Sequence, residues 1–209
     1  NLIAAKHLLG DLYNNYDKAM EIFSSALTKS EELGDKLWIG RSLRKIGNAY
    51  YGKDNNDMAS DYWERSLEIA EELGDRRGMG HSLYNIGLLY NNKGGYDTAL
   101  DYFGGSLEIE EELGDKRGMG GNLSMIGNVH YGKGNKDIAL DYYERSLAIR
   151  KELSDKYGMG HNLNNIGNVH ADKGDYEKAL DYYEGSLELA EELGDKYGMG
   201  HSLNNIGMM

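Results

Sequence analysis

The apolar positions of this chain fall on a helical period and, over a longer distance, on a period of 40 residues. Between positions 77 and 91, Leu83, Ile86, Gly87 and Tyr90 recur at three- and four-residue spacing and mark one face of a helix. The stretch Asn92-Lys93-Gly94-Gly95 interrupts that face with turn chemistry. From Tyr96 to about Leu113 a second stripe follows, made of Ala99, Phe103 and Leu107 with Ile109 at its margin, and acidic residues concentrate on the other side. Gly114 suits the left-handed end of that helix, and Asp115 suits the cap of the next one. The unit is a helix pair carrying its own punctuation.

The same unit is copied along the chain. Leu33-Gly34-Asp35 recurs with Leu73, Leu113 and Leu193 as first residues, and Leu153-Ser154-Asp155 fills the remaining slot. In this register Ile46-Gly47, Ile86-Gly87, Ile126-Gly127, Ile166-Gly167 and Ile206-Gly207 superimpose, as do Ala59, Ala99, Ala139 and Ala179. A glycine inside a helix costs up to about 1 kcal/mol relative to alanine, so its return at 47, 87, 127 and 167 needs a packing reason. Gly47, Gly87, Gly127 and Gly167, with the four alanines, are expected where two helices cross closely, and Trp63, Phe103, Tyr143 and Tyr183 fill the wider space beside them. One such pair cannot bury its stripe alone, whereas stacked pairs share a continuous core. The expectation is one repeat domain over 1–209, with units at about 1–36, 37–76, 77–116, 117–156 and 157–196 and a partial unit at 197–209.

Leu83-x2-Ile86-Gly87-x2-Tyr90 with Ala99-x3-Phe103, and Leu43-x2-Ile46-Gly47-x2-Tyr50 with Ala59-x3-Trp63, resemble the signature of the tetratricopeptide repeat family. The resemblance covers about residues 7 to 209. The 40-residue length and the absence of the usual proline after the second helix look like the long-repeat subgroup seen in LGN/Pins polarity adaptors, kinesin light chains and many bacterial multi-repeat proteins. It implies an all-α fold, an α-solenoid of stacked antiparallel helix pairs forming a right-handed superhelix, with first helices on the inner, concave wall and second helices outside. His130 and His170 replace the signature tyrosine, which keeps a ring-sized slot and changes its polarity. The first unit, Leu9-Gly10-x2-Tyr13 with Ala19-x3-Phe23, lacks three residues between its helices. Either it is a divergent end unit or a loop is absent near 13–16, and the chain as a whole reads as a fragment.

Composition narrows function. With 23 basic and 35 acidic side chains the formal net charge is −12, which disfavours binding to nucleic-acid backbones. The chain has no cysteine and so no thiolate metal site or thiol nucleophile. No apolar run approaches the roughly 20 residues of a spanning helix, so direct membrane insertion is not expected. No signal-peptide pattern opens the sequence, and a cytoplasmic location is expected. No catalytic motif, cofactor site or phosphate loop is present: Gly78-Met79-Gly80 and its copies lead into helices rather than follow strands. His81, His161 and His201 recur, but copies one layer apart should lie ~20 Å from each other, too far for a shared zinc ion.

What remains is surface. Asn48, Asn128 and Asn168 recur at one place off the apolar stripe of the first helices, and Asn85, Asn165 and Asn205 at another, with Tyr84, Asn164 and Asn204 beside them. Carboxamides offer donor and acceptor, so this ladder can pair with the backbone of a bound peptide, or it can tie neighbouring first helices together. Arg41, Arg44 and Lys45 sit at the amino-terminal end of the same face, where an acidic segment could dock or where they balance Glu31, Glu32 and Asp35. Glu111-Glu112, Glu152 and Glu191-Glu192 lie near second-helix ends, where Lys116, Lys156 and Lys196 are expected to offset them. The leading expectation is a noncatalytic scaffold holding a peptide or protein segment in its groove. The alternatives are a module stacking end to end with copies of itself, suggested by 9 identities in 12 between 158–169 and 198–209, and a regulatory segment of a larger enzyme.

Overall fold

The computed structural model describes residues 16–209. Among these residues there are ten helices and no strand: α1 (Tyr16–Leu33), α2 (Lys36–Tyr51), α3 (Asn56–Leu73), α4 (Arg76–Asn92), α5 (Tyr96–Leu113), α6 (Lys116–Gly132), α7 (Lys136–Glu152), α8 (Lys156–Asp172), α9 (Tyr176–Leu193) and α10 (Lys196–Gly207). The fold is an all-α helical repeat. The expected first helix of the opening unit and the gap near 13–16 lie largely outside the described residues, whereas Ala19 and Phe23 are buried on α1.

The helices begin and end where the sequence chemistry allows. Asp35, Asp75, Asp115, Asp155 and Asp195 cap α2, α4, α6, α8 and α10, each accepting from a backbone N–H two or three residues on, such as Trp38 N at 3.2 Å and Gly158 N at 3.1 Å. Each satisfies amide donors that the first helical turn leaves open. Gly34, Gly74, Gly114 and Gly194 end the second helices in the left-handed region, with φ of 64° to 65°. Ser154 holds the same place at φ 53°, a conformation that costs a side chain more than it costs glycine.

The chain forms two compact units, Asn1–Ile109 and Glu110–Met209. In the first, α1 packs on α2, α2 on α3 and α3 on α4, and the alternate helices α2 and α4 also touch. Its core runs from Ala19, Phe23 and Ile46 to Ala59, Trp63, Ile86 and Leu89. In the second, α6 packs on α7, α7 on α8, α8 on α9 and α9 on α10, with α8 also touching α10. There Ala139, Tyr143, Leu147, Ile166 and Val169 form the buried centre.

Lysines at the starts of first helices form ion pairs with the second helix that closes the same hairpin. Lys36 reaches Glu72 at 2.7 Å, and Lys116–Glu152 and Lys156–Glu192 repeat the pairing at 2.5 Å. This corrects the expectation that Lys116 and Lys156 offset the glutamates just before them: the antiparallel hairpin brings the far end of the following helix within reach instead. All six side chains are about half exposed, so each pair contributes little.

Candidate functional site

The crossings of first and second helices position everything else. A methyl group added at Gly47 would lie 2.6 Å from the Trp63 ring, at Gly87 2.8 Å from Phe103, at Gly127 2.6 Å from Tyr143 and at Gly167 2.6 Å from Tyr183. No side chain fits between these backbones and those rings. Ala59, Ala99, Ala139 and Ala179 are fully buried.

Upon three of these crossings, those at Gly47, Gly127 and Gly167, sits one rung of the asparagine ladder. In the first unit, Asn48 Oδ1 accepts from Trp63 Nε1 at 2.8 Å and from Asn85 Nδ2 at 3.0 Å. In the second, Asn128 Oδ1 accepts from the Tyr143 hydroxyl at 2.8 Å and from Asn165 Nδ2 at 3.3 Å. Asn168 Oδ1 accepts from the Tyr183 hydroxyl at 2.8 Å and from Asn205 Nδ2 at 3.5 Å. Indole N–H can only donate, so it fixes which way the Asn48 amide faces. These carboxamides therefore do not offer both functions to a guest, as the sequence reading supposed. Their oxygens are committed inside the protein, and the Nδ2 donors of Asn48 and Asn168 are what the ladder retains; that of Asn128 lies 3.6 Å from Met125 Sδ.

Two residues assigned to the open wall are interior. Asn164 is 6% exposed and Asn205 is 5% exposed. Asn164 Nδ2 donates to Ser186 Oγ at 2.5 Å and Ser202 Oγ at 3.1 Å, and its Oδ1 accepts from Asn205 at 3.3 Å. A carboxamide at this register turns inward because three neighbours give it hydrogen bonds there, which offsets its loss of water. Asn204 is exposed and Asn165 half-buried. Tyr84 is half-buried and lies edge-on to Phe103, with centroids 5.6 Å apart.

The network around Asn164 belongs to a series that the sequence reading missed. Ser66, Ser106, Ser146 and Ser186 donate to the carbonyls of Gly40, Gly80, Gly120 and Gly160 at 2.6 to 2.9 Å. Each buried hydroxyl ties a second helix to the first helix of its own pair. The 40-residue recurrence of the serine was the available signal. In the second unit the network also includes Ser124, which donates to Asn162 Oδ1 at 2.6 Å and lies 2.9 Å from Ser146 Oγ.

The basic cluster is partly engaged. Arg41 is exposed and its guanidinium lies 5.0 Å from the centroid of the Trp38 ring, a cation–π distance. Arg44 and Lys45 are half-buried. In the signature-tyrosine slot, His130 stacks on Tyr142 at 5.5 Å and 8°, and His170 on Tyr182 at 5.4 Å and 9°. Tyr50–Tyr62 and Tyr90–Tyr102 hold the same geometry at 5.4 and 5.5 Å. Burial, reinforced by Lys133, holds the His130 imidazole below its usual pKa. Among the described residues no group of three histidine or carboxylate side chains is placed to hold a metal ion, and no helix is long and apolar enough to cross a membrane.

Residues 78–152 and 159–209 match the family described as tetratricopeptide repeat. No curated protein matches the sequence. Among solved structures, the BtubC (BKLC) protein of P. vanneervenii is similar at 21% identity and a TM-score of 0.80, over 93% of this chain and 82% of that one. A Rap protein complexed with competence and sporulation factor is 18% identical with a TM-score of 0.85, over 99% of this chain and 62% of that one. The Rap conjugation regulator of plasmid pLS20, in complex with the Phr* peptide, is 20% identical with a TM-score of 0.80, over 96% of this chain and 56% of that one. This chain thus spans about three fifths of either Rap protein. At these identities the likeness concerns the fold.

Proposed function

The chain belongs to the tetratricopeptide repeat family, and from that premise we propose that it is a noncatalytic interaction scaffold that holds an extended peptide or protein segment against its first helices. The carrying observation is the fixed orientation of the ladder: Asn48 and Asn168 have their oxygens bound by Trp63 or Tyr183 and by the next asparagine. A donor held in place loses little freedom on binding. Backbone carbonyls of an extended segment are its natural acceptors, and such pairing is indifferent to side chains. The two Rap proteins were solved with a bound factor or peptide, which supports a peptide as the class of guest. Arg41, with Arg44 and Lys45 beside it, would favour an acidic stretch in a segment held by the first unit.

The second reading is a purely structural ladder, favoured by the amide–amide bonds between successive first helices, 3.0 Å for Asn85 to Asn48 and 3.3 Å for Asn165 to Asn128. Peptides selected from a displayed random library by the wild-type chain separate the two. With Asn128, Asn165 and Asn168 replaced together by alanine, the scaffold reading expects at least tenfold weaker binding with helical circular dichroism retained. Equal affinity with a lower melting temperature would assign the ladder to structure alone.

A further inference from the structure

The second unit holds a cavity of about 160 Å³ bounded by α8, α9 and α10. The equivalent place in the first unit, bounded by α2, α3 and α4, measures about 10 Å³. The two places share alanine at 70 and 190; they differ on the second helix in Ile69 against Leu189, and on the first helix in Arg41 and Arg44 against His161 and Asn164. In the first unit Ile69 drives its Cγ2 to 3.2 Å from where a Cβ would stand on Gly40. In the α6–α8 layer the same space is taken by Ile149 and Arg150, at 3.6 and 3.7 Å from the corresponding point on Gly120, and Arg150 is anchored to Asp155 at 2.6 Å. In the last layer the residues are Leu189 and Ala190. The only neighbours within 4 Å of that point on Gly160 are atoms of Ser186. Leucine branches one carbon later than isoleucine, and Ala190 lacks the long side chain that Arg150 lays beside Gly120.

The lining is ring-rich and has a polar edge. Tyr157 and His161 meet edge to face at 4.6 Å, His201 stands on the neighbouring helix, and Leu189 and Ala190 supply an aliphatic floor. Asn165 donates its Nδ2 to Asn128, which leaves its Oδ1 to accept. The charged side chains at the rim are already engaged: Lys156 with Glu192, and Asp195 with the Tyr197 N–H as the cap of α10. Burial, with Arg150 next in weight, holds the His161 imidazole below its usual pKa. The pocket is open to solvent on its ring side, with Tyr157 57% exposed, and a volume on the order of 150 Å³ matches a benzene-sized guest.

We propose that this cavity is a binding site for a neutral phenol ring, seated among Tyr157, His161 and His201 on the Leu189–Ala190 floor, with its hydroxyl donating to Asn165 Oδ1. A tyrosine side chain of a partner and a free phenolic small molecule share this chemistry. The site stands whether or not a peptide lies along the asparagine ladder.

The test is a titration of the chain with p-cresol, read from the His161 and His201 ring resonances. The proposal expects saturable shifts, at least tenfold weaker binding of toluene, and loss of the shifts in Ala190→Arg and in Leu189→Ile. Both substitutions restore residues found at the same positions of an earlier layer, and far-UV circular dichroism checks that each folds. Absence of saturable shifts, equal binding of toluene, or p-cresol binding that survives both substitutions overturns it. N-acetyl-Gly-Tyr-Gly-amide added as competitor then identifies the source: displacement of p-cresol supports a tyrosine side chain, and binding of p-cresol without displacement supports a free phenol.

Discussion

The two compact units solve the same packing problem and differ in what they do with polar atoms. In the first, the Gly47 crossing is closed by an indole whose N–H meets Asn48, the Gly87 crossing by Phe103, and the layer beside Gly40 is sealed by Ile69. In the second, both crossings are closed by tyrosines bonded to Asn128 and Asn168, buried asparagines join the serine bonds, and one layer stays open. Leu88 stands where three of the other described first helices carry asparagine, and the ring at its crossing, Phe103, is the one of the four without a polar atom. The comparison teaches that asparagine at this register answers a hydrogen-bonding aromatic residue. The ladder's first duty is to satisfy a ring, and any guest uses what is left.

Substitutions can break or sharpen this contrast. The largest effect is expected at the crossings: Gly167→Ala would force a methyl to 2.6 Å from the Tyr183 ring and should cost about 1–3 kcal/mol in chemical denaturation. At Gly160 the nearest atom is 3.6 Å away, so alanine there should stabilise by about 0.5–1 kcal/mol, the ordinary helix preference. At Gly40, where Ile69 lies at 3.2 Å, the gain should be smaller or reversed. Equal gains at Gly40 and Gly160 would deny that the two layers are filled differently.

Next in size is the pairing of ring and amide. Tyr143→Phe removes the 2.8 Å bond to Asn128 and should cost about 1 kcal/mol. Asn128→Leu added to it reproduces the Phe103–Leu88 combination. A double-mutant cycle by urea denaturation should give a favourable coupling of at least about 0.5 kcal/mol; strictly additive losses would count against the pairing.

The signature slot gives a pH effect. The folded-state pKa of His130 is lowered by burial and then by Lys133, so as pH falls below about 6.5 the unfolded chain takes up the proton first. The stability contributed by the neutral imidazole is complete above that pH and is lost as pH falls towards the folded-state pKa. His130→Tyr, which restores the residue at positions 50 and 90, should flatten the fall in melting temperature between pH 7 and 5.5. An identical slope in the variant contradicts the assignment. Smallest of all is Lys156→Met, which deletes the exposed pair with Glu192 and should change stability by no more than about 1 kcal/mol, less at high salt.

Much of the fold was legible in the sequence because it depends on residues that repeat for one reason only. Gly127 has no use inside a helix except closeness, and Asp155 after Leu153-Ser154 has the chemistry of a cap. The candidate site was less legible. Recurrence marked Asn128, Asn164 and Asn205 alike, yet the last two turn inward to Ser186 and Ser202 while Asn128 meets a tyrosine. Whether a helical asparagine faces water or serine depends on the partner across the helix pair, which a single helix's period does not contain. Reading position 48 against position 63, 88 against 103 and 128 against 143 would have exposed the aromatic pairing. The cavity was hidden for a subtler reason: leucine and isoleucine are alike in hydropathy and differ in where they branch.

The account turns on donors held out by an internally bound oxygen, and replacing Asn48 and Asn168 together by aspartate isolates that function. A carboxylate still accepts from Trp63, Asn85, Tyr183 and Asn205 but carries no N–H. For an uncharged peptide selected by the wild-type chain, calorimetry should show at least tenfold weaker binding with the melting temperature nearly unchanged. Undiminished affinity in this variant would contradict the account.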